Sequence, residues 1–240
     1  MVRLYVFKPI EARLIAKPAN VGDCETAVAL TDNGEVRLYL EAGGGSYRLC
    51  ISGEGWAPTL MINGIVMHTA LMDPIKYTED KLRGVRLRGR VVLDCCTGLG
   101  YTALVELRRG ARWVISIEAD ENVLELARYN PWSRHLTDGR IDLFLGDIYD
   151  LLAWIRDSSI GVVVHDPPRP TRSWGPLYSR ELYKMYYRAL ARGGMLYHYV
   201  PRTGSRYRGV NLARGVANRL REAGFTIIGE NEYGILAVKH

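Results

Sequence analysis

The ten residues Val91-Val92-Leu93-Asp94-Cys95-Cys96-Thr97-Gly98-Leu99-Gly100 constrain this chain more than any other stretch. Val91, Val92 and Leu93 form a short apolar, β-rich run of the kind that becomes a buried strand. Asp94 ends it, and Thr97, Gly98 and Gly100 lead into a helical pattern over Tyr101 to Leu107. Glycine is needed where the backbone turns sharply and lets a ligand come close. A strand, a glycine turn and a helix N-terminus make a nucleotide-sized site at the carboxyl edge of a parallel sheet. An ordinary βα turn fits the same ten residues, so the rest of the chain has to decide.

Three further apolar runs end in the same way. Trp113 to Ile117 ends in Glu118. A nucleotide-binding βαβ unit places the carboxylate that accepts hydrogen bonds from the ribose hydroxyls about 20 residues beyond its glycine turn, which is where Glu118 stands relative to Gly98. Ile141 to Leu145 ends in Gly146-Asp147, and Ile160 to His165 ends in Asp166-Pro167-Pro168. Four successive strands thus each carry an acid at the carboxyl end.

This arrangement resembles the class I S-adenosylmethionine-dependent methyltransferases, over residues 70 to 240. The family's first motif matches Asp94 to Gly100, its ribose-binding acid matches Glu118, and its adenine-contacting acid matches Asp147. Its fourth motif, an acid with two prolines, matches Asp166-Pro167-Pro168. The resemblance implies S-adenosyl-L-methionine as cofactor, with Asp94, Thr97, Gly98 and Gly100 shaping the methionine site. It also implies that Asp166, Pro167 and Pro168 hold the acceptor. A dinucleotide site fits less well, because Gly-x-Gly-x-x-Gly needs a third glycine where this chain has Ala103.

The spacing predicts strands over 90–94, 113–117, 141–145, 160–165, 194–200, 225–230 and 233–239. Helices are predicted over 100–109, 121–129, 148–156, 178–191 and 209–223. This alternation implies an α/β, Rossmann-like methyltransferase fold, a mostly parallel seven-stranded sheet with helices on both faces. Ahead of it, short β-like runs separated by Asp32-Asn33-Gly34 and Gly43-Gly44-Gly45 predict a small N-terminal antiparallel β-domain. The expected division is 1–70 for that part and 71–240 for the cofactor domain. The N-terminal sheet carries no chemical motif and is read as a packing or dimerisation module, the second alternative giving a homodimer through this domain. A layer of hairpins before such a domain also resembles the spermidine synthase (aminopropyltransferase) family. The first motif here, Cys-Thr-Gly-Leu-Gly, departs from that family's Gly-Gly-Gly loop, so the layout carries over more readily than the activity.

Asp-Pro-Pro suits methyl transfer to nitrogen. The prolines stiffen the backbone just beyond a strand, so the Asp166 carboxylate and nearby carbonyls can hold an amine. The resembled amino-methyltransferases usually place an aromatic next. This chain has Arg169 there, leaving Trp174 or Tyr178 to supply a stacking surface. His68 is a candidate for the acceptor pocket, His165 for strand packing, and His198 for the end of the fifth strand near the site. Arg169, Arg172, Trp174 and Tyr178 are expected to guide substrate entry. No His/Cys spacing suggests a metal site, and Cys95 and Cys96 read as small loop residues.

The net charge of +6 is modest, and its distribution says more. Residues 169–221 hold eleven Arg and one Lys against a single acid, Glu181, together with seven of the fifteen Tyr. Basic residues interleaved with aromatics suit phosphate contact and base stacking; a solvated basic face over core tyrosines is the alternative. The reading is a methyltransferase acting on a nucleobase amine in structured RNA such as tRNA. A small amine substrate, aminopropyl transfer and a non-catalytic RNA-binding module remain alternatives. No run approaches the roughly 18 apolar residues of a membrane span, and no signal-peptide core precedes the first strand, so a cytoplasmic protein is expected. The absence of glutamine and the many charges are compatible with a thermophilic source, and a GC-rich genome would equally favour the abundant arginine.

Overall fold

The computed structural model describes residues 1–170, 175–200 and 212–240. Its centre is an eight-stranded sheet. Five parallel strands form the middle: β10 (Val91–Cys95), β11 (Trp113–Glu118), β12 (Ile141–Leu145), β13 (Ile160–His165) and β14 (Leu190–Tyr199). They run in the order β12, β11, β10, β13, β14, so the chain reverses direction across the sheet between β10 and β13. That reversal opens the crevice in which open α/β sheets bind ligands. Beyond β14 lie β16 (Gly234–Val238) and β15 (Thr226–Glu230), both pairing antiparallel. The seven expected strands are therefore all present.

Side chains alternate between the two faces of the sheet. Val92, Val162 and Val164 join a core with α1 (Pro74–Lys81), α2 (Tyr101–Arg108) and α3 (Glu121–Arg128). Leu93, Val163 and Leu196 join a second core with α4 (Ile148–Trp154), α5 (Arg180–Ala189) and α6 (Leu212–Glu222). Both faces are covered, which parallel strands require.

An eighth strand adds to the seven expected. β1 (Arg3–Leu4) pairs antiparallel with β12 at the edge of the large sheet. The remaining N-terminal strands form two small antiparallel sheets. One contains β2 (Arg13–Ile15), β4 (Val28–Thr31) and β5 (Gly34–Arg37). The other contains β3 (Glu25–Thr26), β6 (Tyr39–Ala42), β7 (Gly45–Ile51), β8 (Thr59–Ile62) and β9 (Ile65–Val66). Cys24 and Cys50 form a disulfide that ties the start of β3 to β7, with Cα atoms 5.2 Å apart. The sequence pattern assigns these two cysteines no partner, because a separation of 26 carries no pairing signal. No described helix is long and apolar enough to cross a membrane.

Candidate active site

The carboxyl ends of β10, β11, β12 and β13 open into one cavity of about 500 Å³. Thr97, Gly98, Glu118, Asp147, Asp166, Pro167 and Pro168 all line it. Three of the expected strand-end acids thus converge with the glycine loop where the topology reverses.

The first-motif loop is held from below. The N–H groups of Cys96 and Thr97 both donate to the Ile117 carbonyl at 3.0 Å. Cys96, Gly98 and Gly100 all take positive φ, at 70°, 55° and 81°. At Gly100 a Cβ would sit 2.9 Å from Leu136 and 3.0 Å from the His135 ring, so both conformation and space demand glycine there. Gly98 has only the Cys96 carbonyl at 4.0 Å, which leaves open backbone facing the cavity.

Asp94 is fully buried beneath this loop. The Ser116 hydroxyl donates to its Oδ2 at 2.6 Å, and Thr97 Oγ1 lies 2.6 Å from Ser116 Oγ. Oδ1 is buried with no hydrogen-bond partner among the described residues. Burial pushes the Asp94 carboxyl up to about 6, against the opposing pull of the Ser116 hydrogen bond. Asp94 therefore supports the loop from behind and does not line the cavity itself.

Glu118 faces the cavity. Its Oε2 accepts from Gly98 N–H at 2.8 Å, and its Oε1 accepts from Ala119 and Asp120 N–H at 2.9 and 3.0 Å. Burial raises this carboxyl above the ordinary range and the backbone donors pull it back. Asp147 caps α4, its Oδ1 accepting from Tyr149 N–H at 2.7 Å. Burial raises the thiols of Cys95 and Cys96, so neither is a ready nucleophile, as their reading as loop residues requires.

Asp166 stands at the end of β13 with 14% of its side chain exposed and forms an ion pair with Lys81, which is 2% exposed. Lys81 Nζ also lies 5.1 Å from the Tyr77 ring centre and 5.0 Å from that of Tyr199. The sequence reading missed Lys81, 85 residues before its partner. A signal did exist, because Ile75, Thr78 and Lys81 recur at helical spacing on the buried face of α1. Asp73 fixes the start of that helix by accepting from Ile75 and Lys76 N–H at 2.8 and 3.1 Å.

His68 lines the cavity, with Nδ1 at 3.2 Å from Thr59 Oγ1 and its ring 5.1 Å from that of Tyr101. Burial and the nearby Lys81 charge push the imidazole down to about 3, so it is neutral. Tyr178 does not offer a stacking face. Its ring is 5% exposed and its hydroxyl donates to the Pro168 carbonyl at 2.9 Å, bracing the Pro-Pro turn. Tyr183, Tyr186 and Tyr197 are likewise buried, so these tyrosines pack in the core. Arg169 is exposed beyond the cavity lining. Arg172 and Trp174 lie outside the described residues.

His165 and His198 sit side by side on β13 and β14, both buried. His165 Nε2–H donates to the Leu177 carbonyl at 2.8 Å, and its Nδ1 accepts from Tyr186 at 3.0 Å. His198 Nδ1–H donates to the Tyr199 carbonyl at 2.7 Å, and its Nε2 accepts from Tyr183 at 2.7 Å. Each imidazole is neutral and satisfied on both nitrogens, and burial lowers both. They hold backbone behind the site and do not reach the cavity.

The N-terminal hairpins do more than pack. Tyr47, Leu60, Ile62, Asn63, Ile65 and Met67 form a largely apolar wall of the cavity opposite the strand ends. Alternating hydrophobicity gave no hint of this, because a strand facing a ligand and a strand facing a core carry the same pattern.

No family model matches the chain. It is 44% identical over 216 residues to the uncharacterised protein MJ1233 of Methanocaldococcus jannaschii, covering 85% of this chain and 74% of that one. Over 52% of its length it is 28% identical to ribosomal RNA large subunit methyltransferase I of Aeromonas hydrophila. Over 65% it is 30% identical to the polyamine aminopropyltransferase of Mycobacterium tuberculosis. The matches span only 31% of each of these two proteins. Among solved structures, a spermidine synthase in complex with the transition-state analogue AdoDATO superposes with a TM-score of 0.68 at 16% identity, over 97% of this chain and 82% of that one. The spermidine synthase of Thermotoga maritima gives 0.66 at 16% identity, over 98% and 81%. These structures establish the fold, a Rossmann-like sheet preceded by small N-terminal sheets, which this chain shares with spermidine synthase over nearly its whole length.

Proposed function

Because the chain belongs to the same family as the Methanocaldococcus jannaschii protein MJ1233 and carries the class I fold, we propose that it transfers a methyl group from S-adenosylmethionine to an amine nitrogen. The acceptor on this reading is a nucleobase in structured RNA such as tRNA. The observation that carries the transfer chemistry is Asp166-Pro167-Pro168 lining the same cavity as the glycine loop, Glu118 and Asp147.

The residues fit that cofactor. The cavity volume lies within the roughly 300 to 1,000 Å³ of small-molecule sites, and Gly98 leaves backbone open toward it. Glu118 would accept from the ribose hydroxyls, Asp147 from the adenine amino group, and the Thr97–Gly100 loop would cradle the methionine end. When bound, the cofactor supplies an electrophilic methyl group. The chain's own task is then to orient and to exclude water. Asp166 accepts an N–H of the acceptor and turns the nitrogen lone pair into the cavity, and the prolines fix the carboxylate's approach. The N-terminal wall of Leu60, Ile62, Ile65 and Met67 keeps the site dry.

RNA as the acceptor is supported by the basic composition of residues 169–221, and a concave site of this size suits a base turned out of its stack. Arg180 and Arg188 in that stretch pair with acids of their own chain, Arg180 with Glu181 and Glu222 and Arg188 with Asp157. A second reading, aminopropyl transfer, is favoured by the spermidine-synthase layout of nearly the whole chain. Labelled methyl transfer from S-adenosylmethionine to bulk tRNA, compared with transfer to diamines, tests the proposal. Incorporation into tRNA that falls at least about 100-fold in Asp166→Ala supports it. A cofactor-binding protein that labels no RNA contradicts the acceptor.

A further inference from the structure

We propose that Lys81 sets the acceptor class of this site, by neutralising Asp166 so that an uncharged N–H acceptor is taken and alkyl ammonium chains are excluded. The inference rests on the reading of Asp166 as the acceptor-holding residue.

Lys81 is not a surface lysine that happens to reach an acid. Its ammonium is buried, paired with Asp166 Oδ2, and flanked by the Tyr77 and Tyr199 rings. The two rings are tied together, since the Tyr77 hydroxyl donates to the Tyr199 hydroxyl at 3.3 Å. The Lys81 carbonyl accepts from Asn231 at 3.3 Å, which fixes the last turn of α1. The ammonium therefore has little freedom to leave.

The charge count on this side of the cavity follows. Asp166 and Lys81 sum to zero, and neutral His68 adds nothing. The other acids lining the cavity, Glu118, Asp120 and Asp147, stand at the ends of β11 and β12, where the nucleoside is expected. An alkyl ammonium placed against Asp166 would meet the buried Lys81 at close range, where like charges repel strongly. A neutral amine meets no such penalty and finds Asp166 Oδ1 as its acceptor. A polyamine site requires the opposite balance, a carboxylate with no resident cation.

Calorimetric titration of the diamine putrescine into protein saturated with S-adenosylmethionine tests this, using wild type, Lys81→Met and Lys81→Arg. Saturation keeps the cofactor-side acids from acting as a diamine site. Wild type and Lys81→Arg should show no saturable binding. Lys81→Met should bind putrescine at least about tenfold more tightly than wild type, and less so as salt is added. Wild type that binds putrescine as tightly as Lys81→Met overturns the proposal. So does a cofactor-binding Lys81→Met that gains no putrescine affinity; Lys81→Gln replaces it if Lys81→Met does not fold. Failure of wild type to bind S-adenosylmethionine is a separate result, and removes the methyltransferase reading beneath.

Discussion

Asp94 shows what a single residue in this fold contributes and what it costs. Its carboxyl is buried, with one oxygen held by Ser116 and the other unpartnered among the described residues. The folded state holds it at about 6, above its ordinary 3.8. Between those values the folded protein binds a proton that the unfolded chain has lost. Stability therefore falls as pH rises through that window, by about 3 kcal/mol in total. Glu106, buried nearby and raised in the same direction, adds a slope of the same sign. Comparing wild type with Asp94→Asn isolates the Asp94 part. Urea unfolding at about pH 4 and about pH 7 should show a smaller loss of stability in Asp94→Asn. Equal losses in the two proteins would mean that Asp94 is ionised at no cost. The sequence marked Asp94 as a site residue because it ends a strand before a glycine turn. It could not show that the carboxyl points down into the sheet, since that depends on Ser116 arriving from the neighbouring strand.

At the scale of elements, local pattern and long-range contact divide the outcome. The βα units were legible because apolar strand runs, glycine turns and strand-end acids are local signals. Gly100 belongs to this class. Its φ is 81°, and an added Cβ would come within 2.9 Å of Leu136. Gly100→Ala should therefore lower stability by roughly 2 to 4 kcal/mol. Thermal unfolding should show this as a clear fall in Tm, and an unchanged Tm would mean that the loop relaxes freely. The elements that were not legible depend on partners far along the chain. β1 joins β12 from the opposite end of the sheet's sequence, and Lys81 reaches Asp166 from another helix. The Cys24–Cys50 bond is of the same kind, joining residues separated by 26 positions. Closing a loop of that size removes unfolded-state entropy worth about 3.5 kcal/mol. Reduction should thus lower the urea midpoint, while a double Ser variant should lose all sensitivity to reductant. Equal stability with and without reductant would show that the bond does not constrain the unfolded chain.

For the whole molecule, the small sheets close the cavity that the large sheet opens. Strand-end acids and the glycine loop form one side, and the apolar hairpin residues form the other. That division was half legible. The acids stood out because four successive strands end in one, whereas the hairpin wall reads as ordinary core until its position is known. On the proposed reading this site holds intact S-adenosylmethionine. On that reading the N–H groups of the first turn of α2 would face the methionine carboxylate, and Glu118 would supply the ribose contacts. Calorimetric titration with S-adenosylmethionine and with its decarboxylated form, on wild type and Glu118→Ala, tests the claim most directly. The predicted result is micromolar binding of the intact cofactor, weaker binding of the decarboxylated form, and a loss of about 100-fold in Glu118→Ala. Preference for the decarboxylated form, or binding that Glu118→Ala leaves untouched, would contradict it.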